Sequence, residues 1–293
     1  MSELRCQTSR VRIGRRPFDI QSDDDYLRHI GNDFEPHMCA LFDGLIRPDF
    51  NCLDIGANIG CTSILFGQLA ARVTAFEPSP STFQILQRNV AASALTNIEL
   101  RNVGLGAKAE RLTLTFAPNN RSGAFVSNLT QASSGHTIEN IDIAIGDESV
   151  GPERIDFIKL DVEGFEMQVL TGLTGVIARD RPVLVTEMNH WCLNAFQRTS
   201  IPDFLDYLLG LFPILYAFHG SAYLDLRDES QRYIAMYRHI LHLEYSNLVG
   251  AFDEAQVARI LKTDAENPLR VLDPAPAPTP NSPAEPDHPV VDA

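Results

Sequence analysis

Three short runs in this chain place acids at the ends of apolar stretches, two of them beside glycines, where such groups can do chemistry. The first is Asp54-Ile55-Gly56-Ala57-Asn58-Ile59-Gly60. Gly56 permits a tight turn, and Gly60 lets a following helix pack close to a sheet. The helix N-terminus beyond it offers unpaired N–H groups to a carboxylate or phosphate. A dinucleotide loop needs a glycine where Asn58 stands, so that its backbone can approach a pyrophosphate. Asp54 is an anion that suits a cationic ligand better. S-adenosylmethionine (SAM), with its sulfonium, ammonium and single carboxylate, is such a ligand. Taken alone, the run fits a ligand-free βα turn equally well.

The second run ends in Glu77-Pro78, where an acid can accept hydrogen bonds from both hydroxyls of a ribose. That acid serves NAD and SAM sites alike. The third is Lys159-Leu160-Asp161-Val162-Glu163-Gly164. Asp161 and Glu163 flank one residue at a strand end, so extended geometry puts them on one side, where proximity can raise one pKa. Were the ligand SAM, the reaction would be methyl transfer, an in-line displacement for which alignment supplies about 7–11 kcal/mol in favourable cases. An alcohol acceptor also loses a proton, so a base within reach helps. Asp161 and Glu163 are the candidate catalytic residues. The other reading has Asp161 binding ligand while Glu163 caps a helix or orders the loop. Lys159 shares the face of Asp161 and needs a carboxylate partner if buried. Glu187, which ends the next apolar run, and His190 beyond it stand with Lys159 in the second rank, and His219 behind them.

No metal is expected. A divalent ion across Asp161, Glu163 and Glu187 would suit oxygen ligands, but acidic strand ends suit any cationic cofactor. Cys61 begins the helix after Gly60, which predicts a lowered thiol pKa and a packing role. His239 and His242 share a helix face and lack a third ligand, so both read as surface residues.

Elements that could position these groups alternate along the chain. Strands are predicted at Cys52 to Ile55, Val73 to Phe76, Ile98 to Val103, Ile155 to Leu160, Pro182 to Glu187, Pro213 to Phe218 and Tyr233 to Tyr237, with an extra one over Leu112 to Phe116. Helical patterns lie between them, including one capped by Ser79 with Pro80 at its first position. The alternation predicts an α/β fold with a doubly wound, mainly parallel sheet. Ligands then sit beyond the carboxyl ends of the strands, at the topological switch point.

The chain resembles the FkbM-type family of SAM-dependent methyltransferases. The matching pieces are Phe34-Glu35-Pro36, CLDIGANIGCTS at 52–63, AFEPSPSTFQILQRNV at 75–90, Thr137-Ile138-Glu139-Asn140-Ile141, IDFIKLDVEGFEMQVLTGL at 155–173 and PVLVTEMN at 182–189. The resemblance implies a Rossmann-like sheet of seven strands with an antiparallel final strand. It implies methyl transfer, usually to a hydroxyl oxygen of a sugar, polyketide or other small metabolite. It places Asp54, Gly56, Ala57, Asn58 and Gly60 along the methionine end of SAM. Glu77 would hold the ribose, Pro78 would lie beside the adenosine, and Asp161 would face the methyl group and acceptor. Glu139 stands where the family has Asp, which leaves the role of its segment open.

The chain has 293 residues, with 24 Lys and Arg against 38 Asp and Glu, a net charge of −14. Such a field repels phosphate backbones and anionic lipid, so no nucleic-acid partner is expected. The five cysteines form no C-x-x-C and fit a reducing cytoplasm. The most apolar stretch, Leu208 to Phe218, is too short to span a bilayer. The expected organisation is a basic, extended lead-in over 1–33, a methyltransferase domain over 34–245, a C-terminal helix over 246–272, and a disordered, acidic, proline-rich tail over 273–293. The competing readings are a methyltransferase directed at nitrogen or protein, a non-catalytic nucleotide-binding module, and an NAD-dependent oxidoreductase.

Overall fold

The structure, a computed structural model, describes residues 6–127 and 135–261. The proline-rich tail, the stretch of the expected C-terminal helix beyond 261, and the first five residues of the lead-in lie outside the described residues.

An opening hairpin pairs β1 (Gln7–Ile13) with β2 (Arg16–Ser22). β3 (Asn51–Ile55), β4 (Arg72–Phe76) and β5 (Ile98–Arg101) follow, separated by helices Cys61–Leu69 and Pro80–Ser93. A second sheet is then built from β6 (Gly104–Gly106), β7 (Glu110–Ala117), β8 (Asn120–Val126) and β9 (Thr137–Ile145). The chain returns to the main sheet with β10 (Phe157–Leu160), β11 (Val183–Glu187), β12 (Ile214–His219), β13 (Ala222–Asp225) and β14 (Asn247–Ala251).

The main sheet runs β13-β12-β14-β11-β10-β3-β4-β5. From β5 to β11 every pairing is parallel, whereas β14 is antiparallel to both of its neighbours and β13 is antiparallel to β12. The α/β, Rossmann-like expectation therefore holds for the parallel half. The whole sheet has eight strands rather than seven and is mixed, because a short return strand pairs with the outer edge of β12. The order reverses between β3 and β10, which opens the switch point there.

Side chains alternate across the sheet, as a doubly covered sheet requires. Cys52, Phe157, Val183 and Val185 pack on one face, and Leu53, Ile158 and Leu184 on the other. On the first face Phe42, Phe66 and Phe157 meet edge-on at 4.9 to 5.9 Å, the spacing at which aromatic quadrupoles attract.

Several expectations at the ends of the chain are corrected. Tyr233 to Tyr237 is not a strand but part of helix Glu229–His242, whose first turn is capped by the Asp228 side chain accepting from Gln231 N. The antiparallel strand is β14, inside the stretch expected to be helix. The helix itself starts at Glu254 and is described to Leu261. The lead-in folds as the paired strands β1 and β2 and packs on the main core. Val11, Ile13 and Ile20 are fully buried in the main core, and Asn89 bonds both backbone groups of Gln21 at 2.8 and 3.0 Å. Both expected boundaries, at 34 and at 245, fall inside packed structure. No described helix is long and apolar enough to cross a membrane.

Candidate active site

β3 delivers the Gly56–Gly60 loop and β10 delivers the Asp161–Gly164 loop to the same end of the sheet. Their backbones touch. A Cβ on Gly56, which sits at φ 81°, would lie 1.8 Å from the Asp161 carbonyl oxygen, so no other residue fits. A cavity of about 360 Å³ opens above these loops, within the size range of small-molecule sites. Gly56, Ala57, Asn58, Gly60, Glu77, Pro78, Lys159, Asp161, Glu163 and Glu187 all line it. The second sheet forms another wall with Leu114, Val126 and Ile141, and the N-terminal segment adds Tyr26, Phe34 and Glu35.

Asp54 is not on the cavity wall. It is fully buried beneath it, accepts from Ser63 Oγ at 2.6 Å and lies 3.7 Å from Lys159 Nζ. Burial raises its carboxyl, while Lys159 and Ser63 pull it down. Lys159 donates to the Gly56 carbonyl at 2.9 Å and pairs with Asp161 at 3.3 Å. Burial alone would lower its ammonium, but Asp161 and Asp54 more than offset this and hold it above its ordinary value. The lysine thus ties the two loops together.

Glu77 ends β4 and faces the first loop. One carboxylate oxygen accepts from Asn58 N and the other from Ser79 N, both at 2.9 Å. Burial raises its carboxyl to about 7 against the pull of those N–H groups. Each oxygen keeps a further lone pair for a ligand hydroxyl. Asn58 Oδ1 is buried with no protein partner among the described residues, and helix Cys61–Leu69 starts without a side-chain cap. An unfilled acceptor and uncapped helical N–H groups suit the ammonium and carboxylate of an amino acid.

Asp161, Glu163 and Glu187 bring carboxylate oxygens within 4.8 Å of one another. Glu163 adopts φ 51° and accepts from Cys192 Sγ at 3.0 Å. Burial, then the charge of Asp161, raises its carboxyl to about 7. Burial and the same acidic neighbours push Glu187 well above the usual range. The three oxygens are spaced as a hard cation would need; an acid cluster by itself assigns none.

Glu166 does the loop-ordering work that one reading gave to Glu163. It is 2% exposed, and one oxygen accepts from Val162 N and Gly164 N at 3.1 and 3.3 Å. The last acid of Asp-Val-Glu-Gly-Phe-Glu was the available signal. Also missed were Tyr26 and Arg121, the latter clamped by Asp23 at 2.6 Å through two nitrogens. Nothing local in their runs marks them; they arrive through the hairpin and the second sheet.

His190 is not among the residues that line the cavity. Its ring packs edge-on against His239 at 5.1 Å, and its backbone N–H donates to His239 Nε2. His239 is 1% exposed rather than on the surface, and burial lowers it to about 4. The Cys61 thiol is raised by burial, not lowered by its helix terminus. Glu139 lies in β9 and accepts from Ser79 Oγ at 2.6 Å.

The family model for the methyltransferase FkbM domain matches residues 54–219. Methyltransferase sdnD of Sordaria araneosa is 29% identical over 153 residues, covering 41% of this chain and 59% of that protein. Hexuronic acid methyltransferase AglP of Haloferax volcanii is 33% identical over 135 residues, covering 45% of this chain and 53% of that protein. Among solved structures, methyltransferase FkbM from Methylobacillus flagellatus KT is similar at 23% identity with a TM-score of 0.44, over 63% of this chain and 44% of that one. The chain spans somewhat over half the length of these two curated relatives. Matched from Asp54 in β3 to His219 at the end of β12, over more than half of its length, the chain belongs to the FkbM methyltransferase family.

Proposed function

We propose that this protein is a SAM-dependent methyltransferase that methylates a hydroxyl oxygen of a sugar or other small metabolite. One observation carries the reading. The switch-point cavity is lined by the Gly56–Gly60 loop, by Glu77, whose oxygens can accept ribose hydroxyls, and by Asp161, Glu163 and Glu187, with the Glu163 carboxyl raised to about 7. SAM, when bound, supplies an electrophilic methyl group on a positively charged sulfur. The N–H groups that open helix Cys61–Leu69 take the carboxylate of the amino-acid end. Asn58 Oδ1 and the Gly56–Gly60 loop line the same end, with Asp54 holding the loop from below through Lys159. Glu77 accepts the ribose hydroxyls, and Pro78 lies beside the adenosine.

Asp161 stands where the two loops meet and faces the reacting centre, its negative charge matched to a sulfonium. Glu163 takes the proton that an alcohol acceptor loses, because a carboxyl near 7 is basic enough at neutral pH yet still ionisable. The charge of Asp161 beside it helps keep Glu163 basic. A sugar-class acceptor is supported by the relative named for hexuronic acid. The net charge of −14 supports a small acceptor over a nucleic acid.

Calorimetry on the full chain is the test. SAM and S-adenosylhomocysteine should each bind at about one site per chain, and NAD should not. Binding of NAD without SAM would overturn the methyltransferase reading.

A further inference from the structure

Glu35 is a non-glycine residue in the left-handed region, at φ 34° and ψ 68°. An L side chain is strained there, and such strain persists only where the surroundings over-determine it. Those surroundings are on both sides. Phe34 N donates to Arg12 O at 2.9 Å, Arg12 N donates to Asn32 O at 2.8 Å, and the Arg12 guanidinium pairs with Asp33. The segment before Glu35 is thereby stitched to β1. Pro36 then opens helix Pro36–Leu45, and the Glu35 carbonyl accepts from Cys39 N at 2.9 Å.

The strain does not serve the helix cap, because the Glu35 side chain makes no capping hydrogen bond. Its carboxylate also has no hydrogen bond or ion pair with the described residues. Instead Glu35 lines the switch-point cavity together with Tyr26, Cys61, Thr62, Lys159 and Asp161. It is an exposed residue that also borders a second groove with Asp33 and Pro36, yet partial burial raises its carboxyl, and Asp161 adds to the shift. Three carboxylates, Asp54, Asp161 and Glu35, act on one ammonium, that of Lys159. Negative charge is left over at this end of the cavity. Cys61 and Thr62 beside it are the opening residues of the uncapped helix that suits a carboxylate. A ligand with a carboxylate on that helix and an ammonium next to it satisfies both.

We infer that Glu35 holds the ammonium of the amino-acid end of SAM, and that the N-terminal hairpin exists in part to place it there. The inference rests on the SAM reading above. Holding an ammonium gives Glu35 a task that neither the adenosine nor the acceptor shares, which makes the two readings separable.

The test compares S-adenosylhomocysteine with 5′-deoxy-5′-methylthioadenosine, which keeps the nucleoside and thioether but lacks the amino-acid end. Both are titrated into the full chain, the Glu35→Gln variant and the Glu35→Gly variant. Glu35→Gln should weaken S-adenosylhomocysteine about tenfold or more, the scale of a lost charge-assisted hydrogen bond, and leave methylthioadenosine within about twofold. Glu35→Gly should weaken S-adenosylhomocysteine likewise while melting at or above the wild-type temperature, because glycine relieves the left-handed strain. Unchanged S-adenosylhomocysteine affinity, equal weakening of both ligands, or a lower melting temperature for the glycine variant would each overturn the assignment. A wild-type chain that binds neither ligand would overturn the cofactor reading, and this inference with it.

Discussion

Glu163 concentrates the chemical question of this site in one carboxyl group. Its backbone is left-handed, Cys192 donates to one oxygen, and Asp161 and Glu187 each bring a carboxylate oxygen within 4.8 Å. A carboxyl raised to about 7 by burial and like charge is protonated in acid and ionised above neutrality. If it takes the acceptor proton, kcat/KM should rise with pH through about 7 and level off above it. Glu163→Gln keeps the shape but loses the basic site, so turnover should fall about 10²–10⁴-fold with little change in S-adenosylhomocysteine affinity. Single-turnover rates of the two proteins with a hydroxyl acceptor would settle this. A near wild-type rate would pass the role to Asp161 or Glu187, or to alignment alone. The pair was legible as acids flanking one residue at a strand end. Its environment was not, since Cys192 and Glu187 are supplied by distant stretches of chain.

The short elements depend most on partners far away in sequence. β14 reads only as Asn-Leu-Val-Gly-Ala, too brief for a periodic signal, yet it pairs with both β11 and β12. Tyr233 to Tyr237 has stronger β character by residue type, but Asp228 caps the turn before it and the segment is helical. A chain ended at Tyr245 would leave β11 and β12 with open edges in mid-sheet. It should show no cooperative thermal transition. A chain ended at Leu272 should melt with the full-length protein, because the seven prolines beyond it offer no apolar pattern to pack. Circular dichroism melts of both chains test the two expectations together. A folded 245-residue chain would mean that β14 is peripheral.

Across the molecule, the acids of the site oppose folding when they ionise. Glu77, Glu163 and Glu166 are each raised to about 7 by burial. The folded chain therefore binds more protons than the unfolded chain between about 4.5 and 7. Their contribution to stability is present in full below the unfolded value and is lost as pH rises through 7. Asp180 and Glu244 work the other way, since ion pairing lowers them and their contribution is lost in stronger acid. The ligand-free protein should therefore melt higher near pH 5.5 than near pH 8, by roughly the linkage slope of these acids. Glu77→Gln should flatten that dependence. A melting temperature that climbs steadily to pH 8 would show that the acids are ionised at little cost in the folded state.

The amino-acid sequence by itself determined the groups that local spacing places together. These are the glycine loop after β3, the acid ending β4, the Lys159–Glu163 run and the alternation that makes an α/β sheet. Each is read within a dozen residues, because turn geometry, capping and strand alternation are local. Tertiary structure alone decided what crosses that distance. It buried Asp54 beneath the cavity, set Glu166 rather than Glu163 to order the loop, and inserted β14 between β11 and β12. It also folded the arginine-rich start into a hairpin that brings Glu35 and Tyr26 to the cleft. Burial and long-range pairing carry no local signature, since they depend on which surfaces remain to be covered once the sheet has formed.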